Sequence, residues 1–111
     1  MDYFSPHMSL NEVNAISMLG LAHIGDGVYE LLTRTMLCTQ GHSAVQKLHR
    51  LTVSYVNAPA QAAAMQKILP KLTEAEYHSA TGLEALFGWL YLQGQRERID
   101  ELFEAIMEEE N

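Results

Sequence analysis

Apolar residues recur at three- and four-residue steps along most of the chain, and no stretch alternates with polar residues for long, so the pattern predicts an all-α protein. The clearest element follows Ser17, a good N-cap. Met18, Leu21, Val28, Leu32 and Met36 recur at helical spacing and predict one long buried-stripe helix over about 17–38, with Gly41 just past its end. Ahead of it, residues 1–6 read as a loose leader and 10–15 as a short helix, because Ser9 precedes Glu12 by three in a capping-box pattern. Beyond it, Ser43 opens a helix carrying Val45, Leu48, Leu51 and Tyr55, which Asn57-Ala58-Pro59 breaks, and a further helix runs over 60–69 and stops before Pro70. Thr73 and Glu76 form a second capping-box pattern, but Tyr77-His78-Ser79 interrupts the helix it announces. Ser79 then leads a helix to about Leu92, Gly94 punctuates it, and an amphipathic helix from about Gln95 buries Ile99, Leu102, Phe103 and Ile106. The expectation is a domain of about six to seven helices.

Gly20, Gly25 and Gly27 each weaken the long helix by up to ~1 kcal/mol relative to alanine, so they predict close contact with another helix or access to a neighbouring site. With 111 residues and 48% hydrophobic content, the chain is long enough for one core, and residues 1–111 read as a single domain. A single cysteine, Cys38, closes no intrachain disulfide, and the chain opens without a basic-then-apolar leader, so a cytoplasmic protein is expected. The apolar run over 83–92 falls short of the ~20 residues a spanning helix needs.

Fourteen acidic against seven basic residues give a net charge of −7, which taken alone argues against a polyanionic partner. Glu108, Glu109 and Glu110 supply part of it and read as a solvated helix end.

Two acidic features could carry chemistry. Ala22, Asp26, Glu30 and Arg34 fall at four-residue steps and share one face of the long helix, which reads either as a solvated face with an acid–base pair or as part of a site. Glu84 lies among Leu83, Ala85, Leu86 and Phe87, where a carboxylate is costly unless it is paired, hydrogen-bonded or bound to a cation, or snorkels at an edge. Were Asp26 to face Glu84, the pair would suit a hard divalent cation such as Mg²⁺, which keeps several waters and needs only one or two protein carboxylates. Metal-assisted phosphoryl hydrolysis is the chemistry such a site offers. His7, His23, His42, His49 and His78 show no zinc-ligand spacing, and there is no P-loop, dinucleotide fingerprint or nucleophile elbow. Lys47, His49 and Arg50 could contact phosphates or form a solvated face.

The segment Leu21-Ala22-His23-Ile24-Gly25-Asp26-Gly27-Val28-Tyr29-Glu30 resembles the signature helix of Mini-ribonuclease III, the short bacterial class of the ribonuclease III family that lacks a double-stranded-RNA-binding domain. Residues Ser79-Ala80-Thr81-Gly82-Leu83-Glu84-Ala85-Leu86-Phe87-Gly88-Trp89-Leu90 resemble that family's second acidic helix. The likeness extends over about 14–107 and takes in Lys47-Leu48-His49-Arg50. It implies a ribonuclease III-like endonuclease fold and a homodimeric, Mg²⁺-dependent endoribonuclease that cuts structured double-stranded RNA, in maturation of the 23S ribosomal RNA precursor. Under it Asp26 and Glu84 are the catalytic, metal-binding carboxylates, Glu30 and Arg34 support them, and each subunit cuts one strand. A large-subunit ribosomal protein is a further candidate partner.

Two departures from the wider family stand out. Leu19, Ala22 and Thr81 occupy positions where larger ribonuclease III enzymes carry further acids, a reduction shared by the Mini class. Between Glu76 and Tyr77 the family has a basic, arginine-rich segment expected to grip RNA, and here there is none, so weak RNA binding with the carboxylate site intact is expected. The competing readings are a helical dimer that binds RNA or a ribosomal protein without cutting, and an acidic interaction module; the second has no use for a carboxylate inside the run over 83–87.

Overall fold

The computed structural model describes residues 1–108, and two of the terminal glutamates, Glu109 and Glu110, lie outside them. Among the described residues there are seven α-helices and no strand: α1 (Leu10–Asn14), α2 (Met18–Thr39), α3 (Val45–Val56), α4 (Ala58–Ile68), α5 (Glu74–Ser79), α6 (Leu83–Leu92) and α7 (Arg96–Met107), with a 3₁₀ turn at Leu69–Lys71. The all-α expectation is met.

Local chemistry sets most boundaries. Ser9 and Glu12 close the capping box of α1, and the Ser17 hydroxyl accepts the Gly20 N–H at 3.0 Å to start α2. Asn57 does more than break a helix: its side chain accepts the Ala60 N–H at 2.8 Å and caps α4, with Pro59 in the first turn. Three expected boundaries are corrected. Ser43 is not a cap, since α3 begins at Val45 after an Ala44 that makes no side-chain capping bond. Tyr77-His78-Ser79 does not interrupt α5 but continues it, because the Thr73–Glu76 capping box satisfies its first turn and the next three residues add a second. Ser79 therefore ends α5, and Gly82 stands before α6.

Helix α6 is the centre of the molecule. Leu83 and all residues over 85–90 are buried, as expected of a helix apolar nearly all round. Its main neighbour is α2, with α7, α4 and α5 packed on its other sides. The buried line of α2 is Leu21, Gly25, Tyr29, Thr33 and Leu37, a strict four-residue ridge, and not the Met18–Val28–Leu32 stripe. Met18 is 37% exposed, while Val28, Leu32 and Met36 sit half-buried at the edge of the ridge. Gly25 explains the shift. A Cβ there would overlap the Glu84 carbonyl oxygen and stand 2.8 Å from the Gly88 nitrogen, so α2 and α6 touch backbone to backbone at this point and the residues in line with Gly25 turn inward. Tyr29 wedges its ring edge-to-face between Phe87, at 5.3 Å, and Phe103, at 5.7 Å, joining α2, α6 and α7. Burial, with Tyr55 nearby, pushes its phenol up to about 12, so it stays a neutral core group.

The leader is not loose. The Met8 N–H donates to the Leu92 carbonyl at 2.8 Å, the Tyr91 hydroxyl donates to the Tyr3 carbonyl, and Pro6 is buried. Gly94, at φ +78°, turns α6 into α7 directly beneath Pro6 and His7. Trp89 is buried and donates its indole N–H to Asn14 Oδ1 at 2.9 Å.

The buried Glu76 anchors α5. Its carboxylate receives Arg98 Nε at 2.7 Å and Nη2 at 2.8 Å, a bidentate clasp, and Arg98 also donates to the Lys71 carbonyl. The guanidinium holds the Glu76 carboxyl below the usual carboxylate range. Its contribution is therefore present above the unfolded-state value and is lost as pH falls through the lowered folded-state value. Glu76→Gln is expected to cost about 1–3 kcal/mol at neutral pH and to flatten the acid side of the stability profile, read by urea unfolding at pH 7 and pH 4; an equal loss at both would exclude the ion pair as its source.

Candidate metal centre

The contact between Gly25 and Gly88 places the site. A carbon at Gly88 would overlap the Leu21 carbonyl oxygen and lie 2.7 Å from Ile24 Cγ2, so each helix is stripped of side chain where it meets the other. The residues beside the crossing are then brought together. Asp26, next to Gly25 on α2, is exposed; Glu84, one turn ahead of Gly88 in α6, is half-buried. Their carboxylates face each other: burial, followed by the Asp26 carboxylate within hydrogen-bonding reach, raises the Glu84 carboxyl above its usual value. A position in the first turn of a helix favours a carboxylate, yet here burial and like charge prevail.

Opposing them from α4 is Gln61, which sequence reasoning did not single out. It is half-buried, its amide lies against the Glu84 carboxyl, and Nε2 donates to the Val56 carbonyl at 2.8 Å. The only sign of it in the sequence is a lone amide among Ala58, Ala60, Ala62, Ala63 and Ala64.

Other expected residues lie elsewhere. Glu30 and Arg34 pair with each other at 3.2 Å on the exposed side of α2, one and two turns beyond Asp26, and at that exposure such a pair is worth about 0.3–0.5 kcal/mol. Lys47, His49 and Arg50 are all exposed on α3, but Lys47 and His49 stand two residues apart and point to different sides, so the trio is not one patch. Of the seven Lys and Arg side chains, Arg34, Lys67, Arg96 and Arg98 bond within the fold. Leu19 and Thr81 are exposed and Ala22 is half-buried; of the three side chains only that of Thr81, a hydroxyl, carries an oxygen.

Two carboxylates and an amide are hard oxygen-bearing groups, and a divalent cation would offset both the burial and the neighbouring Asp26 carboxylate that raise Glu84. No cluster of three or more His, Cys, Asp or Glu side chains suited to a metal occurs among the described residues. The donor set therefore fits a cation that keeps most of its shell as water, and excludes a dehydrated zinc-type cage.

The Ribonuclease III domain family matches residues 19–95, a span that holds Asp26, Gln61, Glu84 and both contact glycines. The chain belongs to the ribonuclease III family. Its relatives place it in the Mini-ribonuclease 3 class: it is 39% identical over 110 residues to a Mini-ribonuclease 3 of Symbiobacterium thermophilum, covering 78% of this chain and 85% of that one. A Mini-ribonuclease 3 of Thermoanaerobacter sp. is 38% identical, with 83% and 81% covered, and one of Desulfitobacterium hafniense is 38% identical, with 88% and 74% covered. It is thus an endoribonuclease of a family that generally depends on a divalent metal and acts on double-stranded RNA. The Symbiobacterium alignment runs over 110 positions but takes in about 87 residues of this chain, so about two dozen positions of the relative face no residue here. No helix among the described residues is long and apolar enough to cross a membrane.

Proposed function

We infer that this chain is a homodimeric, Mg²⁺-dependent endoribonuclease of the cytoplasm that cuts structured double-stranded RNA, with the 23S ribosomal RNA precursor as substrate. The observation that carries this reading is the meeting of Asp26 and Glu84 beside the Gly25–Gly88 contact. Mg²⁺, when bound there, would acidify a water and offset charge on the phosphodiester. Asp26, at the exposed edge, offers its carboxylate to the solvent side where RNA must arrive; Glu84, in a rigid buried helix, fixes the second oxygen donor with little freedom to move.

Dimerisation lets two such sites each cut one strand of a duplex. In support, an apolar groove of about 310 Å³ runs along α2 past Phe4, Ile24, Leu31 and Tyr91, with Leu31 54% exposed. RNA contact falls to Lys47 and Arg50, which share one side of α3, with His49 on another side, and a large-subunit ribosomal protein presenting the RNA would compensate for so thin a basic surface. A basic segment inserted between Glu76 and Tyr77, where α5 runs straight through, would add the positive charge this surface is short of.

The test is cleavage of a structured 23S precursor fragment in Mg²⁺ by this chain and by a form with the basic segment restored after Glu76. Cleavage of the duplex, stronger with the segment and absent on the single strands, is the expected result. Equal activity of the two forms would remove the segment from the account, and failure of both to cut would remove the substrate.

A further inference from the structure

Gln61 is held at the junction of two helices with its amide beside the site. Helix α4 is rich in alanine and supplies few neighbours of its own for a polar side chain, yet Gln61 Nε2 is tied to the Val56 carbonyl, at the end of α3, at 2.8 Å. That bond spans five residues across the α3–α4 junction and fixes the plane of the amide. Gln61 and Glu84 together line a cleft of about 600 Å³ between α4 and the first turn of α6, with Thr81 and Gln66 on its rim. An amide nitrogen has two hydrogens, so the one left after Val56 is free for the carboxylate beside it.

We propose that Gln61 is a positioning residue for the metal carboxylates: anchored through Nε2 to the Val56 carbonyl, it donates its second N–H to Glu84 and holds that carboxylate turned towards Asp26, thereby setting the affinity of the pair for a divalent cation. The hydrogen bond favours the ionised form of Glu84 against burial and Asp26, which agrees in sign with this role. Outer partners that orient ligating carboxylates typically change metal affinity 10–100-fold when lost. The inference rests on the reading of Asp26 and Glu84 as the metal carboxylates.

The experiment titrates Mn²⁺ without RNA, following thermal unfolding, for the parent, Gln61→Met, Gln61→Asn and Glu84→Gln, each also melted in EDTA. Gln61→Met keeps the length without an N–H, and Gln61→Asn keeps the amide but withdraws it by a methylene. Both are expected to need about 10–100-fold more Mn²⁺ for half-maximal stabilisation, with EDTA melting close to the parent, and to regain most of their RNA cleavage rate at saturating metal. Glu84→Gln is expected to lose the Mn²⁺ response altogether. An unmoved Mn²⁺ midpoint in the Gln61 variants, alone or with a large fall in EDTA melting, would mark a merely structural side chain and overturn the proposal while leaving the site intact. A parental Mn²⁺ response in Glu84→Gln would overturn the site itself, and the role of Gln61 with it.

Discussion

Asp26→Asn and Glu84→Gln are each expected to lower the cleavage rate on duplex RNA in Mg²⁺ on the order of a thousandfold or more, about 4 kcal/mol of transition-state stabilisation, without loss of fold. Each replaces a charged oxygen donor by an amide of nearly equal volume, so packing at the α2–α6 crossing is undisturbed. The two residues act as one unit, and the double variant should be scarcely worse than either single one. Stability should move the opposite way for Glu84→Gln. Because burial and Asp26 raise the Glu84 carboxyl, its contribution to stability is whole below the unfolded-state value and declines as pH rises through the folded-state value. At neutral pH in EDTA the neutral glutamine is therefore expected to melt higher than the parent, with the difference closing in acid. Retained cleavage in both variants would refute the site; lower melting of Glu84→Gln in EDTA would refute its electrostatics.

Most of the helices were legible because their signals are local. Ser9 with Glu12, Ser17, Thr73 with Glu76, and Gly94 act within a turn of their own positions, and each stands where the sequence put it. What was not legible depends on a partner far along the chain. The buried ridge of α2 contains Gly25 and Thr33, neither of which counts as apolar: Gly25 is buried because Gly88 lies opposite, and Thr33 because its hydroxyl is satisfied by the Tyr29 carbonyl at 2.9 Å. Hydrophobic periodicity sees neither reason. Likewise the first residues read as loose because the Leu92 carbonyl and the Tyr91 hydroxyl that engage them are more than 80 positions away.

The site divides in the same way. Glu84 was conspicuous as a charge in an apolar run, and it stands half-buried on the side of that helix left open. Asp26 was ambiguous on its own helix, where Glu30 and Arg34 look equally eligible, and only the crossing point distinguishes it. Gln61 carries neither charge nor motif. Its placement follows from how α4 leans on α6, a matter of packing that no spacing along the chain records.

Gly25→Ala and Gly88→Ala are expected to destabilise the fold by about 3 kcal/mol or more, the largest stability effects of any single methyl group in this chain. At each position the added carbon falls on a carbonyl oxygen of the facing helix, that of Glu84 or of Leu21, and helix backbone cannot step aside as a flexible side chain would. The better helix propensity of alanine returns only up to ~1 kcal/mol. Gly27 supplies the contrast. It lies two residues from Gly25 in the same helix, is exposed, and a Cβ there meets nothing within 4 Å, so Gly27→Ala should gain the propensity term and stabilise. Urea unfolding of the three variants separates helix propensity from helix contact. The Gly25 and Gly88 variants should also lose the Mn²⁺-dependent rise in melting, since parting α2 from α6 carries Asp26 away from Glu84. If Gly25→Ala proved as benign as Gly27→Ala, the two helices would not meet backbone to backbone, and the carboxylates would not be held together by the contact described above.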